Sequence, residues 1–296
     1  THKTNSHLNH KMADIKDKLF AAWQYAAPTH ALSRVVHGAT RLKIPGVTPL
    51  AVRGFMKGFD IALDEYRVQN SGEFKSFNEF FTREIKPGSR PLAEGDVAVC
   101  PVDGTVSQVG AIHHGRLVQA KGFDFTAAEL LGSRERALPY ANGQFSTIYL
   151  APYNYHRIHM PVTGTLKQMV YIPGQLFSVN TMTARAVPRL FARNERVVAI
   201  FDTAYGELAM VLVGALFVGS IETVWAGEVT PPQGDAIRVV DYATDPENAI
   251  TLECGAEMGR FNMGSTVILL WSINNIEWDA SITPDATVRM GQALCA

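Results

Sequence analysis

Cysteine is scarce in this chain. Cys100, Cys254 and Cys295 are far apart, so they make neither a disulfide framework nor a zinc-ligand cluster, and a reducing compartment is the expectation. Long apolar runs are also missing. The longest, Met210–Ile221 (MVLVGALFVGSI), carries Gly214 and Gly219 and falls short of the roughly 20 residues that a spanning helix needs. It reads as buried strand and turn. Thr1–His10 is polar and offers no apolar stretch for a secretory signal. Met12 reads as the natural start, which sets residues 1–11 aside as an upstream extension. Excess charge of one sign is absent too: 27 Lys+Arg stand against 28 Asp+Glu, a net charge of −1. That argues against a dedicated nucleic-acid binder. No internal repeat or low-complexity tract occurs.

The chain does have apolar mass. Of its 296 residues, 47% are hydrophobic and 19% charged, which excludes global disorder and fits one large domain or a medium one with an appendage. Charge is unevenly placed. Residues 1–60 hold nine Lys/Arg against three acids, a local balance of +6, and the remainder carries −7. A basic front end on an acidic body suits an anionic partner such as a membrane surface, although a solvated helical face gives the same pattern.

That basic end reads as helical. Residues 12–27 place Ile15, Leu19, Trp23 and Ala26 at helical spacing before Pro28. Further helices are expected over Ala31–Leu42 and over Leu50–Tyr66, where Val52, Phe55, Phe59 and Leu63 form an apolar stripe. After about Ser76 the texture changes to short β-rich runs broken by Gly and Pro. These are Val97–Val102, Thr105–Val109, Ser146–Leu150, Leu166–Tyr171, Arg196–Phe201, Leu208–Val213, Thr223–Ala226, Ile237–Val240 and Val267–Trp271. Short helices are expected over Ala127–Leu131 and Val179–Ala184. The fold class is therefore α+β: N-terminal amphipathic helices over residues 1–75, then a predominantly antiparallel β-sheet domain over 76–296.

Three constellations could carry chemistry. Pro101-Val102-Asp103-Gly104 joins two strands; Asp-Gly is a turn signal, and an Asp there could also orient a histidine. Tyr155-His156-Arg157-Ile158-His159-Met160 puts two imidazoles three residues apart, which invites zinc. In extended chain an odd spacing sends them to opposite faces, so separate roles are expected and no metal is assigned. Gly264-Ser265-Thr266 precedes the apolar run Val267–Trp271. It is either a turn feeding a buried strand or an unobstructed serine nucleophile. Asp103, His159 and Ser265 would complete an acid–imidazole–hydroxyl set.

At these residues the chain resembles the bacterial phosphatidylserine decarboxylase proenzymes. The matching segments are Phe77–Phe81 (FNEFF) with Arg83, Arg90 and Pro91; Pro101–Gly104; Tyr155–Pro161 (YHRIHMP); Pro173–Asn180 (PGQLFSVN); Leu190–Val197 (LFARNERV); Val213–Trp225 (VGALFVGSIETVW); and Met258–Thr266 (MGRFNMGST). Several long segments in order outweigh any single motif.

The resemblance implies self-cleavage at Gly264–Ser265, within a Leu-Gly-Ser-Thr motif whose Leu is Met263 here. It implies that His159 takes the Ser265 proton, that Asp103 steadies the imidazolium, and that Ser265 becomes a covalent pyruvoyl group. A larger chain (1–264) and a smaller one (265–296) would remain together as a heterodimer, with further homo-oligomer formation open. A ketone conjugated to an amide is an electron sink for decarboxylation of an amine-bearing carbon. The resemblance gives His156 a substrate-binding or proton-delivery role. Many relatives carry an acid two residues before that histidine, where this chain has Asn154.

The implied substrate is phosphatidylserine, and the implied location is peripheral, on the cytoplasmic side of the cell membrane. Two rivals stand beside this reading: a zinc hydrolase using His156 and His159, and a non-catalytic lipid-binding β-domain.

Overall fold

A computed structural model describes residues 22–120, 122–217, 220–231 and 235–296. Of the first expected helix, 22–26 is helical and 12–21 lies outside the described residues. Helix α1 follows as Thr29–Arg41 and α2 as Val47–Phe59. The expected Leu50–Tyr66 helix thus starts earlier and stops sooner. Asp60 closes it with a left-handed φ of 52° and its N–H on the Met56 carbonyl, a conformation that a short polar side chain tolerates. Leu63, expected on the helix stripe, is buried from the loop instead. Helix α3 (Phe77–Phe81) is capped by Ser76, whose side chain accepts from the Glu79 N–H.

The strands that position the site are β1 (Gly104–Ala111), β2 (Gln144–Leu150), β3 (Arg157–His159), β4 (Gly164–Ile172), β5 (Arg196–Thr203), β6 (Gly206–Val213), β7 (Ile221–Thr223), β8 (Arg238–Asp241), β9 (Glu257–Phe261), β10 (Ser265–Trp271) and β11 (Thr287–Val288). The main sheet runs in the order β8-β4-β5-β6-β10-β2-β1-β11, and its pairings are antiparallel. A smaller sheet carries β7, β9 and β3 side by side. The fold is α+β, as expected.

Strand β10 is the centre of this architecture. Its seven residues are all buried, and it pairs with β2 on one side (Ser265 opposite Leu150, Trp271 opposite Gln144) and β6 on the other (Thr266 opposite Val213). A strand buried on both faces needs the unbroken apolar run that Val267–Trp271 supplies. Three residues, Asn262–Gly264, carry the chain from β9 of the small sheet into β10 of the large one.

Several expectations shift. Val97–Val102 contracts to Ala98–Val99, since Pro101 lacks a ladder donor. Thr223–Ala226 moves back to β7, and the Thr223 hydroxyl accepts from the Ala226 N–H in the turn that follows. Val179–Ala184 becomes Thr181–Ala186, capped by Asn180. Gly104 does not sit in a left-handed turn. It opens β1, where a Cβ would come 2.5 Å from the Tyr149 carbonyl oxygen. Close backbone approach is what requires glycine there.

A second apolar cluster joins Val52, Leu63, Tyr66, Phe74, Phe80 and Tyr155. Phe80 is fully buried, with the rings of Phe74, Phe77 and Phe55 at 5.4, 5.7 and 6.0 Å. Phe80→Ala should cost about 3–5 kcal/mol. Urea denaturation checks this, and an unmoved midpoint would show that the cluster is not cooperative with the rest of the fold.

Candidate active site

Ser265 begins β10 and is fully buried, and its hydroxyl has no hydrogen-bond partner among the described residues. Buried polar atoms are normally paired; Ser146, Thr147 and Thr266 of the same sheet share the lack of a partner, and what sets Ser265 apart is the imidazole next to its junction with Gly264. A second orphan stands beside it. His156 is fully buried, and its Nε2 also lacks a partner. A Cβ built on Gly264 would lie 3.9 Å from that Nε2 and 3.5 Å from the Leu150 carbonyl oxygen. The unpaired imidazole nitrogen therefore faces the Gly264–Ser265 segment.

The His156 tautomer follows from its other nitrogen. Nδ1 lies 2.8 Å from the Asn154 carbonyl oxygen. A carbonyl only accepts, so Nδ1 carries the hydrogen and Nε2 presents a lone pair. The Phe81 ring packs against the imidazole at 4.1 Å. Burial, reinforced by the Arg83 cation and opposed by the Asn154 carbonyl, pushes the His156 pKa down to about 3. A histidine depressed below its unfolded value withholds a proton that the unfolded chain would take. Its contribution therefore costs stability as pH falls below about 6.5.

Asn154 has a role of its own. Its side-chain oxygen accepts from the Ala151 N–H at 2.8 Å, closing the turn before the histidines. No charge is needed for that.

His159 ends β3. Its backbone N–H donates to Pro101, which brings it alongside the Asp103 segment. Its Nδ1–H donates to the Gly255 carbonyl at 2.7 Å, and its Nε2 accepts from the Tyr155 hydroxyl at 2.9 Å. Burial lowers its pKa, with the Gly255 carbonyl and the carboxylates of Glu257 and Asp103 opposing. The two histidines thus occupy different surroundings, in line with separate roles. Among the described residues, no cluster of three or more His, Cys, Asp or Glu side chains is placed to hold a metal ion.

Asp103 and His159, expected to act together, share no hydrogen bond. Arg90 grips both Asp103 oxygens, at 2.7 and 2.9 Å, and the Met290 N–H donates to one of them at 2.8 Å. Arg90 also reaches Glu65 at 2.8 Å, and Glu65 in turn pairs with Arg289. This buried bidentate pair is of the strong kind. It ties Asp103 to the N-terminal region through Glu65 and to the segment beyond Ser265 through Met290. His159 and Ser265 likewise share no hydrogen bond.

Other residues were not singled out in the sequence for any role. Tyr155 donates to His159. Asn262 holds the chain before Gly264: its side-chain amide donates to Ser220 and its oxygen accepts from Asn78. The only signal for Arg83 and Arg90 is their position in segments that resemble the decarboxylases. A cavity of about 250 Å³ opens against Gly264, lined among others by Tyr149, Pro152, Val179, Leu216 and Met263. Both loops on its rim are held by the N-terminal helices: Ser178 N–H donates to Gln24, and Phe217 N–H donates to Ser33.

A buried serine at a strand start and an imidazole lone pair facing the preceding glycine are features of an enzyme centre. Comparison with known proteins makes the class specific. Residues 77–296 match the family model described as phosphatidylserine decarboxylase, and residues 19–60 match one described as PSD. The chain belongs to the phosphatidylserine decarboxylase family. Relatives named phosphatidylserine decarboxylase proenzyme include that of Shewanella pealeana, 52% identical over 280 residues, which spans 94% of this chain and 98% of that one. That of Ectopseudomonas mendocina is 49% identical, spanning 95% and 98%. That of Vibrio campbellii is 50% identical, spanning 93% and 97%.

Proposed function

We propose that this chain is the precursor of a pyruvoyl-dependent enzyme that decarboxylates phosphatidylserine to phosphatidylethanolamine and carbon dioxide. The observation that carries the proposal is the pair of buried, unpartnered atoms, Ser265 Oγ and His156 Nε2, at one glycine–serine junction. A plain turn, as the lipid-binding rival requires, gives no reason for either orphan. The residues fit the group: glycine leaves the bond open, and Ser265 has nothing else to do.

In maturation, the Ser265 oxygen attacks the Gly264 carbonyl carbon. The Gly264–Ser265 C–N bond breaks and an ester C–O bond forms. His159 Nε2 receives the hydroxyl proton, exchanging the Tyr155 hydroxyl for that of Ser265, and the Asp103 charge supports the imidazolium that results. The imidazolium passes that proton to the Ser265 nitrogen as it leaves the carbonyl, loss of the Ser265 Cα proton then eliminates Gly264 as a carboxylate, and water replaces the nitrogen, which departs as ammonia. The pyruvoyl group so formed supplies the electron sink that amino-acid side chains lack. His156, neutral and with its lone pair outward, accepts the substrate ammonium proton at Nε2 and later returns it to carbon. The cavity against Gly264 receives the serine headgroup.

After cleavage the smaller chain, 265–296, stays in place as a heterodimer with the larger one. Strand β10 keeps its ladders to β2 and β6, and Met290 keeps Asp103. Pairs of such heterodimers are a further expectation of this reading.

The enzyme works on a membrane surface, peripherally and from the cytoplasmic side. No helix among the described residues is long and apolar enough to cross a membrane. Helices α1 and α2 and the turn between them instead expose Val35, Leu42, Ile44, Val47 and Leu50 beside exposed Arg34, Lys43, Arg53 and Lys57. Apolar side chains entering the interface, with cations at the headgroups, suit that arrangement. Leu50 is 72% exposed, so the pair Val47→Glu and Leu50→Glu should leave folding intact and reduce flotation with anionic vesicles about tenfold. Unchanged flotation would remove α2 from the docking surface. The activity itself is tested by supplying phosphatidylserine in mixed micelles. Carbon dioxide and phosphatidylethanolamine should form in equal amounts, and their absence from correctly cleaved protein would refute the substrate.

A further inference from the structure

Arg83 is 2% exposed, and among the described residues it has no carboxylate within ion-pair distance. A buried cation without a counter-ion is costly, so its neighbours should say what it is kept for. Its guanidinium lies over the Tyr66 ring at 4.4 Å and the Phe80 ring at 5.2 Å. Its Nη2 donates to the Tyr66 hydroxyl at 3.2 Å, the Tyr153 carbonyl at 3.0 Å and the Asn154 carbonyl at 3.4 Å, and Nη1 reaches the Phe80 carbonyl at 3.5 Å. The Asn154 carbonyl is the same oxygen that accepts from His156 Nδ1–H.

We propose that Arg83 is a positioning residue that sets the state of His156: by holding the Asn154 carbonyl and placing a fixed charge beside the imidazole, it keeps the Nε2 lone pair directed at Gly264. This rests on the role given to His156 above. Two separate effects combine. The carbonyl selects the tautomer, because only an Nδ1–H imidazole can donate to it. The cation disfavours a second proton on the ring. A carboxylate paired with Arg83 would cancel that second effect, which accounts for the missing counter-ion. The other groups shown against the imidazole among the described residues are uncharged: the Phe81 ring from α3, the Asn154 carbonyl from its own loop, and Gly264 at the cleavage side. Arg83 is the charged group that bears on it.

Two full-length variants separate charge from shape. Arg83→Gln keeps an N–H donor and loses the charge, while Arg83→Lys keeps the charge and loses the planar fork. In the cleaved enzyme, Arg83→Gln should move the acid limb of the kcat–pH profile upward by about one unit. It should lower kcat about tenfold on the acid side of that limb and leave kcat near wild type at pH 6, with KM little changed. Arg83→Lys should leave the limb in place. A merely structural arginine would lose activity evenly across pH, and an unmoved limb in Arg83→Gln overturns the proposal. Nitrogen-15 spectra of histidine-labelled wild type give a check that needs no variant. His156 should show a protonated Nδ1 and a bare, pyridine-like Nε2 down to pH 5; the opposite tautomer overturns the proposal even if Arg83→Gln does not fold. Should the wild type release no carbon dioxide from phosphatidylserine, the functional reading fails, and the same spectra recorded on Arg83→Gln, where His156 should take its second proton about one pH unit higher, still decide the Arg83 question.

Discussion

Ser265→Ala should yield one uncut chain with no decarboxylase activity. On the proposed reading the loss is complete because one side chain serves twice, as the nucleophile that breaks the backbone and as the source of the carbon skeleton of the reactive group. General-base or positioning defects typically cost about 10²–10⁴-fold, whereas removal of a nucleophile leaves no route to the product. Folding should be unaffected. Ser265 makes no side-chain hydrogen bond, so alanine leaves no partner stranded, and the backbone ladders of β10 to β2 and β6 persist. Gel migration and mass of the purified variant, alongside its thermal midpoint, check all three points. Cleavage in the variant would mean that another group attacks Gly264.

His159→Ala and Asp103→Asn should each slow self-cleavage, by about 10²–10⁴-fold for the histidine and by less for the carboxylate. On the roles proposed above, the histidine is the proton acceptor and Asp103 contributes its charge. That charge is fixed by Arg90, which holds both oxygens. Asp103→Asn keeps the shape that meets the Met290 N–H and gives up the Arg90 ion pair, so this variant reports on charge with little change in form. Timed sampling of freshly synthesised chain, read as the fraction cut, measures both. His156→Ala is the contrast. On the roles proposed above, it should be cut at a rate near wild type and fail at the decarboxylation that follows. If His156→Ala remains uncut while His159→Ala is processed, the two roles are reversed.

The parts of the fold legible in the sequence are those whose signal is local. Continuous apolar runs such as Val267–Trp271 and Leu208–Val213 lie in strands, because a strand covered on both faces has no polar positions. Ala127–Leu131 is helical as expected, with Thr126 and Glu129 forming its capping box. Strands β3 and β9 escaped notice because Arg157-Ile158-His159 and Glu257–Phe261 mix charge with apolar residues and are short. They form only by pairing with each other and with β7. The end of α2 at Asp60 depended on one residue taking a left-handed φ, which periodicity does not report.

The site divides in the same way. Gly264-Ser265 and the two histidines were legible as residue types at telling positions. Their partners were not. Arg90 lies 13 positions from Asp103, and Tyr155 is only four from His159, yet neither spacing by itself says what bonds to what. Gly255, which fixes the His159 tautomer, is 96 residues away. Asn154 is a like case. Its residue type gives no sign of the turn that its side-chain oxygen closes, which carboxylate or amide can equally close.

The most direct test of the account is the denaturing mass spectrum of the purified, active protein. Two chains are expected: a larger one ending in an ordinary carboxylate at Gly264, and a smaller one covering 265–296 whose first residue has the mass of a pyruvoyl group in place of serine. A single intact chain in a preparation that decarboxylates phosphatidylserine would contradict the account outright.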